Sequence, residues 1–282
     1  MNKFTSLSVL NTLSEEAPPL PAHLSELLVG EVGGLPSFTD LVEGLELPQE
    51  RGGEGGKDGA RRLPNRIVSG IASGIELALW ASYSSSAVHE VLSVEYIAAI
   101  VNCVKENVGE GGTLLEIGAG NGQLSEILRK KLDGFCSVIA VDDFTSAIAA
   151  VSSVIEMGCE EALEKYKPTF VLCSWMSPGR DFSAAIGKCE SVQGYLLLGE
   201  ADSSTCGDAW ATWGVVPSYG CRKCEFEGCG RCDLGVYEDT VKGYVGLGFR
   251  REEVEAIEEV QICRFDSSEF RGYSSAYLFA RE

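Results

Sequence analysis

The sequence predicts an α/β protein: a mostly parallel sheet covered by helices on both faces and closed by an antiparallel C-terminal strand pair. Three observations predict it. After Gly111-Gly112, short apolar runs of four or five residues alternate with helical stretches: Thr113–Ile117, Val138–Val141, Phe170–Cys173 and Tyr195–Leu198. Runs that are apolar nearly throughout suit strands buried on both faces, as parallel strands are. The tail differs, because Glu258–Phe265 and Ala276–Ala280 have no long helix between them and read as an antiparallel pair. The third observation is a turn with glycines at alternate positions, set between the first run and a helix.

The elements before the sheet follow in order. Residues 1–62 carry ten acidic and five basic residues, four prolines before residue 40, and the low-complexity stretch Glu50–Gly59. That composition predicts an acidic, largely flexible extension, with room for one docking helix between His23 and Leu47, where Leu24, Leu27 and Leu28 share a face. Residues 63–108 read as a helical lead-in of two helices, one marked by Ile67, Ile71, Ile75 and Leu79 and the next by Val88, Val91, Leu92, Ile100, Val101 and Val104. Residues 109–282 form the main domain, with a Cys-rich insertion at 218–235. Within it, Leu124, Ile127, Leu128 and Leu132 give the helix after the glycine turn its buried stripe.

Composition narrows the function. The chain has 282 residues, 45% of them hydrophobic, and a formal net charge of −19. That apolar fraction supports a folded core. The charge disfavours duplex nucleic acid or an anionic membrane face as the main partner, because polyanion binding rests on clustered Lys and Arg. A small molecule or a protein is the expected partner. There is no run of 18 apolar residues and no secretory-type start, so a cytoplasmic location is expected, with a nuclear one open. The eleven cysteines then read as thiols or metal ligands before a disulfide framework.

The most informative segment is Glu116-Ile117-Gly118-Ala119-Gly120-Asn121-Gly122. Glycines there allow a tight turn and let a ligand touch bare backbone. A dinucleotide fingerprint would need its third glycine at position 123, which is Gln123, and no Lys-Ser/Thr pair closes a P-loop. Asp142 ends the second run 20 residues past Gly122. A carboxylate at that point can accept both ribose hydroxyls of an adenosine. Asp143 is the alternate, and Phe144 a candidate to stack on adenine.

The segment resembles the first motif of class I S-adenosylmethionine-dependent methyltransferases, an acidic residue, one residue, then G-x-G-x-G. The resemblance extends over residues 110–282 and implies a Rossmann-like fold. It also implies S-adenosylmethionine as cofactor, with Gly118, Ala119, Gly120, Asn121 and Gly122 against its methionine and ribose portions and Glu116 helping to hold its amino group. Cys159 or Glu160 would stand near the adenine amino group. Ser174 and Trp175, after the fourth strand, would be further cofactor-binding residues, with Trp175 and Met176 an apolar wall beside the transferred methyl, and no Asn/Asp-Pro-Pro-aromatic motif for amide or ring nitrogens is present there. Candidates for a base are Glu200 and Asp202, among Trp210 and Trp213, together with His89. The reaction implied is methyl transfer to an unidentified acceptor. A catalytically silent binding or scaffold protein of the same fold is the alternative, and a nicotinamide-dependent oxidoreductase a more distant one.

Four cysteines lie within twelve residues: Cys221, Cys224, Cys229 and Cys232. Two C-x2-C knuckles suit a structural zinc ion, although the four-residue gap between them is shorter than in zinc ribbons, and free thiols or disulfides are the other reading. A closed four-Cys site would brace the loop and leave no open coordination position for catalysis.

Overall fold

The computed structural model describes residues 35, 37–44, 89–145, 153–201, 206–208, 210–214, 243–263, 266 and 271–282. Its elements, in chain order, are α1 (Phe38–Gly44), α2 (Val94–Val108), β1 (Thr113–Ile117), α3 (Gln123–Lys131), β2 (Ser137–Asp142), β3 (Val154–Glu156), α4 (Cys159–Tyr166), β4 (Phe170–Ser174), α5 (Ser183–Lys188), β5 (Gly194–Gly199), α6 (Gly243–Gly246), β6 (Phe249–Glu253), α7 (Glu255–Glu258) and β7 (Ser275–Arg281). They build one seven-stranded sheet of order β3-β2-β1-β4-β5-β7-β6. The first five strands are parallel, and β7 runs antiparallel to both β5 and β6.

Strand alternation divides the core in two. Leu114, Phe170, Leu172, Leu196 and Leu198 point to one face, where Ile97, Ile100 and Val104 of α2 and Leu128 of α3 cover them. Leu115, Ile117, Val171, Cys173, Tyr195 and Leu197 point to the other, under Leu163 of α4 and Ile186 of α5. Both faces are apolar because both are covered, which is why the strands read as continuous hydrophobic runs. The α2 helix starts where the Ser93 hydroxyl accepts a hydrogen bond from the Tyr96 amide at 3.1 Å, and it ends at Gly109, φ 76°. Its buried Tyr96, Ile97, Ile100, Val101, Val104 and Val108 follow the three-to-four-residue spacing of one helical face.

Three expectations change. The strand partner of β7 is β6, with Phe249 opposite Arg281 and Glu253 opposite Tyr277, and the apolar stretch from Glu258 is not that strand. Four of the five β6 residues are charged, so the run carries no apolar signal. As an edge strand it needs one buried anchor, Phe249, and its charges protect the edge from further pairing. Val260 instead lies in the turn after α7, Gln261 and Ile262 follow in irregular backbone, and Cys263 makes an isolated antiparallel bridge to Glu90. The opposite edge, β3, is three residues long and partly exposed, too short for a pattern. Of the two expected lead-in helices, the second begins only at Val94; His89 and Glu90 precede it in non-helical backbone. The first falls outside the described residues, as do the 218–235 insertion, Asp202, and Leu24, Leu27 and Leu28.

Within the N-terminal extension, α1 is docked. Leu41 and Val42 are buried, the Phe38 amide donates to Glu95 Oε2 at 2.6 Å, and the Arg271 guanidinium lies 4.9 Å above the Phe38 ring. No helix among the described residues is long and apolar enough to cross a membrane.

Candidate functional site

The strand order reverses between β1 and β4, and in open α/β sheets ligands bind beyond the carboxyl ends of the strands at such a point. A cavity of about 390 Å³ opens there. Its floor is the glycine turn. Gly118, Gly120 and Gly122 have φ of 72°, 55° and 78°, so every second residue is left-handed, a conformation that L side chains rarely adopt. The turn is tied to β2: the amides of Gly118 and Ala119 both donate to the Val141 carbonyl at 3.0 Å, and the Gly120 amide donates to Asp142 Oδ2 at 2.9 Å. Asp142 Oδ1 accepts from the Phe144 amide at 2.7 Å. Asp142 therefore shapes the loop itself, and each oxygen keeps a second lone pair for a ligand.

Glu116 shares the face of Leu114 and is 1% exposed. Ser125 of α3 donates a short hydrogen bond to its Oε2. Burial pushes its carboxyl up to about 7, against the opposing pull of Ser125 and Arg129. Beside Asp142, the Asp143 carboxylate accepts from Arg180 at 2.6 Å and from the Thr145 hydroxyl at 2.8 Å. Partial burial works to raise Asp143, but these bonds hold it below the usual carboxylate range. Arg180 thus straps the loop after β4 to the end of β2.

The β4 strand delivers Ser174 and then Trp175, which is itself left-handed at φ 53°. The Trp175 ring stacks on His89, with centroids 4.9 Å apart and planes 13° from parallel, and its Nε1 donates to Glu90 Oε1 at 2.9 Å. Gln261 Nε2 donates to the same Glu90 oxygen at 2.9 Å. Burial pushes Glu90 up to about 8, partly offset by the Trp175 bond, with Asp266 adding repulsion.

Of the residues singled out in the sequence, Glu116, Gly118, Ala119, Gly120, Asn121, Asp142, Asp143, Ser174, Trp175, Met176 and His89 line this one cavity. Gly122 lies just behind it as the N-cap of α3. Other candidates are not brought in. Glu200 is buried beyond the end of β5, away from the cavity lining, and Phe144, Cys159 and Glu160 are not part of the lining either. Trp213 is a core residue whose Nε1 donates to the Cys206 carbonyl at 2.7 Å. Glu90, Tyr96, Arg180 and Phe182 line the cavity without having been singled out. Glu90 sits next to His89 in the chain, but nothing local marks it, since its partners Trp175 and Gln261 are 85 and 171 residues away. Asp202, Cys221, Cys224, Cys229 and Cys232 lie outside the described residues, among which no group of three or more His, Cys, Asp or Glu is placed to hold a metal ion.

No protein-family model and no curated protein matches the sequence. The structure is similar to parts of several solved structures. The CurJ carbon methyltransferase is 14% identical, with 97% of this chain and 67% of that one covered and a TM-score of 0.40. Human N-acetylserotonin methyltransferase, solved with S-adenosylmethionine, is 12% identical over 92% of this chain and 66% of that one, TM-score 0.35. A protein of Anabaena variabilis ATCC 29413, described as a methyltransferase of an antibiotic biosynthesis pathway, is 19% identical over 37% of this chain, which spans 46% of its length, TM-score 0.28. The sheet order, the antiparallel β7 and the glycine turn at the reversal point agree with the fold that the sequence resemblance implied. The described residues have a Rossmann-like fold closed by an antiparallel strand pair.

Proposed function

We propose that this chain is an S-adenosylmethionine-dependent methyltransferase. The observation that carries the reading is the convergence of Glu116, the left-handed glycine turn and Asp142 on one cavity at the strand-order reversal. These residues fit the cofactor. The turn offers backbone without side chains, Asp142 keeps acceptor capacity for ribose hydroxyls, and Glu116 is a buried carboxyl whose ionisation a cationic amino group would favour. When bound, S-adenosylmethionine supplies a methyl group on a cationic sulfur. The residues of this chain then have to hold an acceptor in line with that methyl and keep water out, and alignment of this kind removes much of the barrier. Trp175, His89, Met176 and Phe182 form the apolar wall suited to it.

The acidic balance supports a small-molecule or protein acceptor over nucleic acid. A cytoplasmic site of action, and a structural zinc ion at Cys221, Cys224, Cys229 and Cys232, belong to the same reading. Metal analysis of the purified protein tests the zinc, with one zinc per chain expected and its absence contradicting it. The cofactor is tested by calorimetric titration of S-adenosylhomocysteine. Binding is expected, weakened at least tenfold by Asp142→Ala; no binding by the unmutated protein overturns the reading.

A further inference from the structure

Glu90 is the one buried carboxyl in the cavity that the cofactor reading leaves without work. It is 4% exposed and lines the cavity. Its backbone is pinned, since Glu90 bridges Cys263 and the Val91 amide donates to the Ile262 carbonyl at 2.8 Å. Its Oε1 takes two hydrogen bonds, from Trp175 Nε1 and Gln261 Nε2, while Oε2 is buried without a well-formed hydrogen bond among the described residues, the Ser274 hydroxyl being the other polar side chain near the carboxyl. Buried carboxylate oxygens are ordinarily satisfied, so an oxygen held this rigidly beside a cavity is poised for a ligand. Trp175 places it at the end of β4, the strand next to β1 and its glycine turn.

The surroundings select the charge of that ligand. The carboxyls lining the cavity are Glu90, Glu116, Asp142 and Asp143, whereas Arg180 is engaged by Asp143 and Thr145. Around Glu90 itself stand Asp266, Tyr96 and Cys206, none of them cationic, and His89 beside it is stacked on Trp175. An anionic acceptor would meet repulsion here, whereas a cation would be stabilised by the carboxylate.

Resting on the methyltransferase reading, we propose that the methyl acceptor is an amine, bound as its ammonium ion by Glu90, and that Glu90 is the base that frees its lone pair. The ammonium N–H proton passes to Glu90 Oε2, leaving a neutral amine and a carboxylic acid. The nitrogen lone pair forms a bond to the methyl carbon of the sulfonium donor while the C–S bond breaks and its electron pair stays on sulfur. The product is an N-methylammonium ion and a thioether, and Glu90 returns its proton to water when the product leaves. The raised ionisation of Glu90, about 8, lies near the pH at which such a base works best.

The test compares the full chain with Glu90→Gln, which keeps an acceptor for Trp175 and Gln261. S-adenosylhomocysteine binding is measured first, and the variant is expected to match the unmutated protein within about twofold. Methyl transfer from labelled S-adenosylmethionine is then followed to phenethylamine, phenol and benzoate. Phenethylamine alone should be methylated, at a rate rising with pH to a plateau above about 8, and Glu90→Gln should lower that rate by about 100-fold or more. Calorimetry of phenethylamine with the homocysteine product bound, in two buffers of different ionisation enthalpy, should show proton release near pH 7 from the unmutated protein and none from the variant. If the variant does not fold, the pH profile and proton release of the unmutated protein decide. Turnover of phenol or benzoate without the amine, a variant rate within about threefold, or amine binding without proton release overturns the proposal. If S-adenosylhomocysteine does not bind, the methyltransferase reading fails and the base role with it, whereas binding without amine turnover removes the acceptor assignment alone.

Discussion

Asp142 and the two buried glutamates do different work although all three are carboxyls at one cavity. Asp142 accepts hydrogen bonds from the backbone amides of Gly120 and Phe144, so removing it loosens the loop as well as removing the proposed ligand for ribose. Gly120→Val should therefore be as harmful to cofactor binding as Asp142→Ala: a side chain at φ 55° is strained and would crowd the bare backbone. A calorimetric titration should show both variants at least tenfold weaker, and unchanged affinity in Gly120→Val would contradict the geometry. Glu90 and Glu116 ionise at higher pH in the folded chain than the ordinary value near 4.5, because both are desolvated. In the pH range between, the folded state holds protons that the unfolded state has released. Their contribution to stability is thus full below about pH 4.5 and is lost as pH rises through about 7 for Glu116 and about 8 for Glu90. Thermal unfolding from pH 5 to 9 should show a falling midpoint that flattens in Glu116→Gln and Glu90→Gln. Parallel curves for all three proteins would mean that these carboxyls are not shielded from water.

At the scale of elements, the central strands carry the core and the edges carry little. Leu172 of β4 is fully buried between α2 and the sheet, and Leu172→Ala should cost about 2–5 kcal/mol. Ser93→Ala removes the cap of α2 and should cost about 1 kcal/mol. Chemical denaturation of the two variants checks the order, and a larger loss from Ser93→Ala would contradict the assignment of the core. The same division explains what could be read from the sequence. Strands β1, β2, β4 and β5 announce themselves because both of their faces are covered. Strand β6, Phe249-Arg250-Arg251-Glu252-Glu253, does not, since an edge strand with one buried anchor has no hydrophobic period. The Val260–Cys263 run imitates a strand because Gln261, Ile262 and Cys263 are buried for another reason: they are hydrogen-bonded alongside the segment that holds Glu90.

Across the whole molecule, the candidate site at residues 116–122 and 142 was legible because chain neighbours build that half of the cavity. The other half is assembled from segments far apart in the chain, Glu90 with Trp175 and Gln261, and Arg180 with Asp143, and no local pattern encodes such meetings. Glu200 shows the converse. Its place at a strand end suggested chemistry, yet it is buried just past β5 and does not line the cavity. The central claim is that this cavity binds an adenosyl sulfonium cofactor through Glu116, the glycine turn and Asp142. A ligand that binds only the folded chain raises its stability, by about 2.7 kcal/mol at a concentration 100 times Kd. The most direct measurement is therefore the calorimetric titration of S-adenosylhomocysteine into the unmutated chain and into Asp142→Ala. One site per chain, weakened at least tenfold by the substitution, is the predicted result; no heat of binding in the unmutated chain, or equal affinity in both, would contradict it.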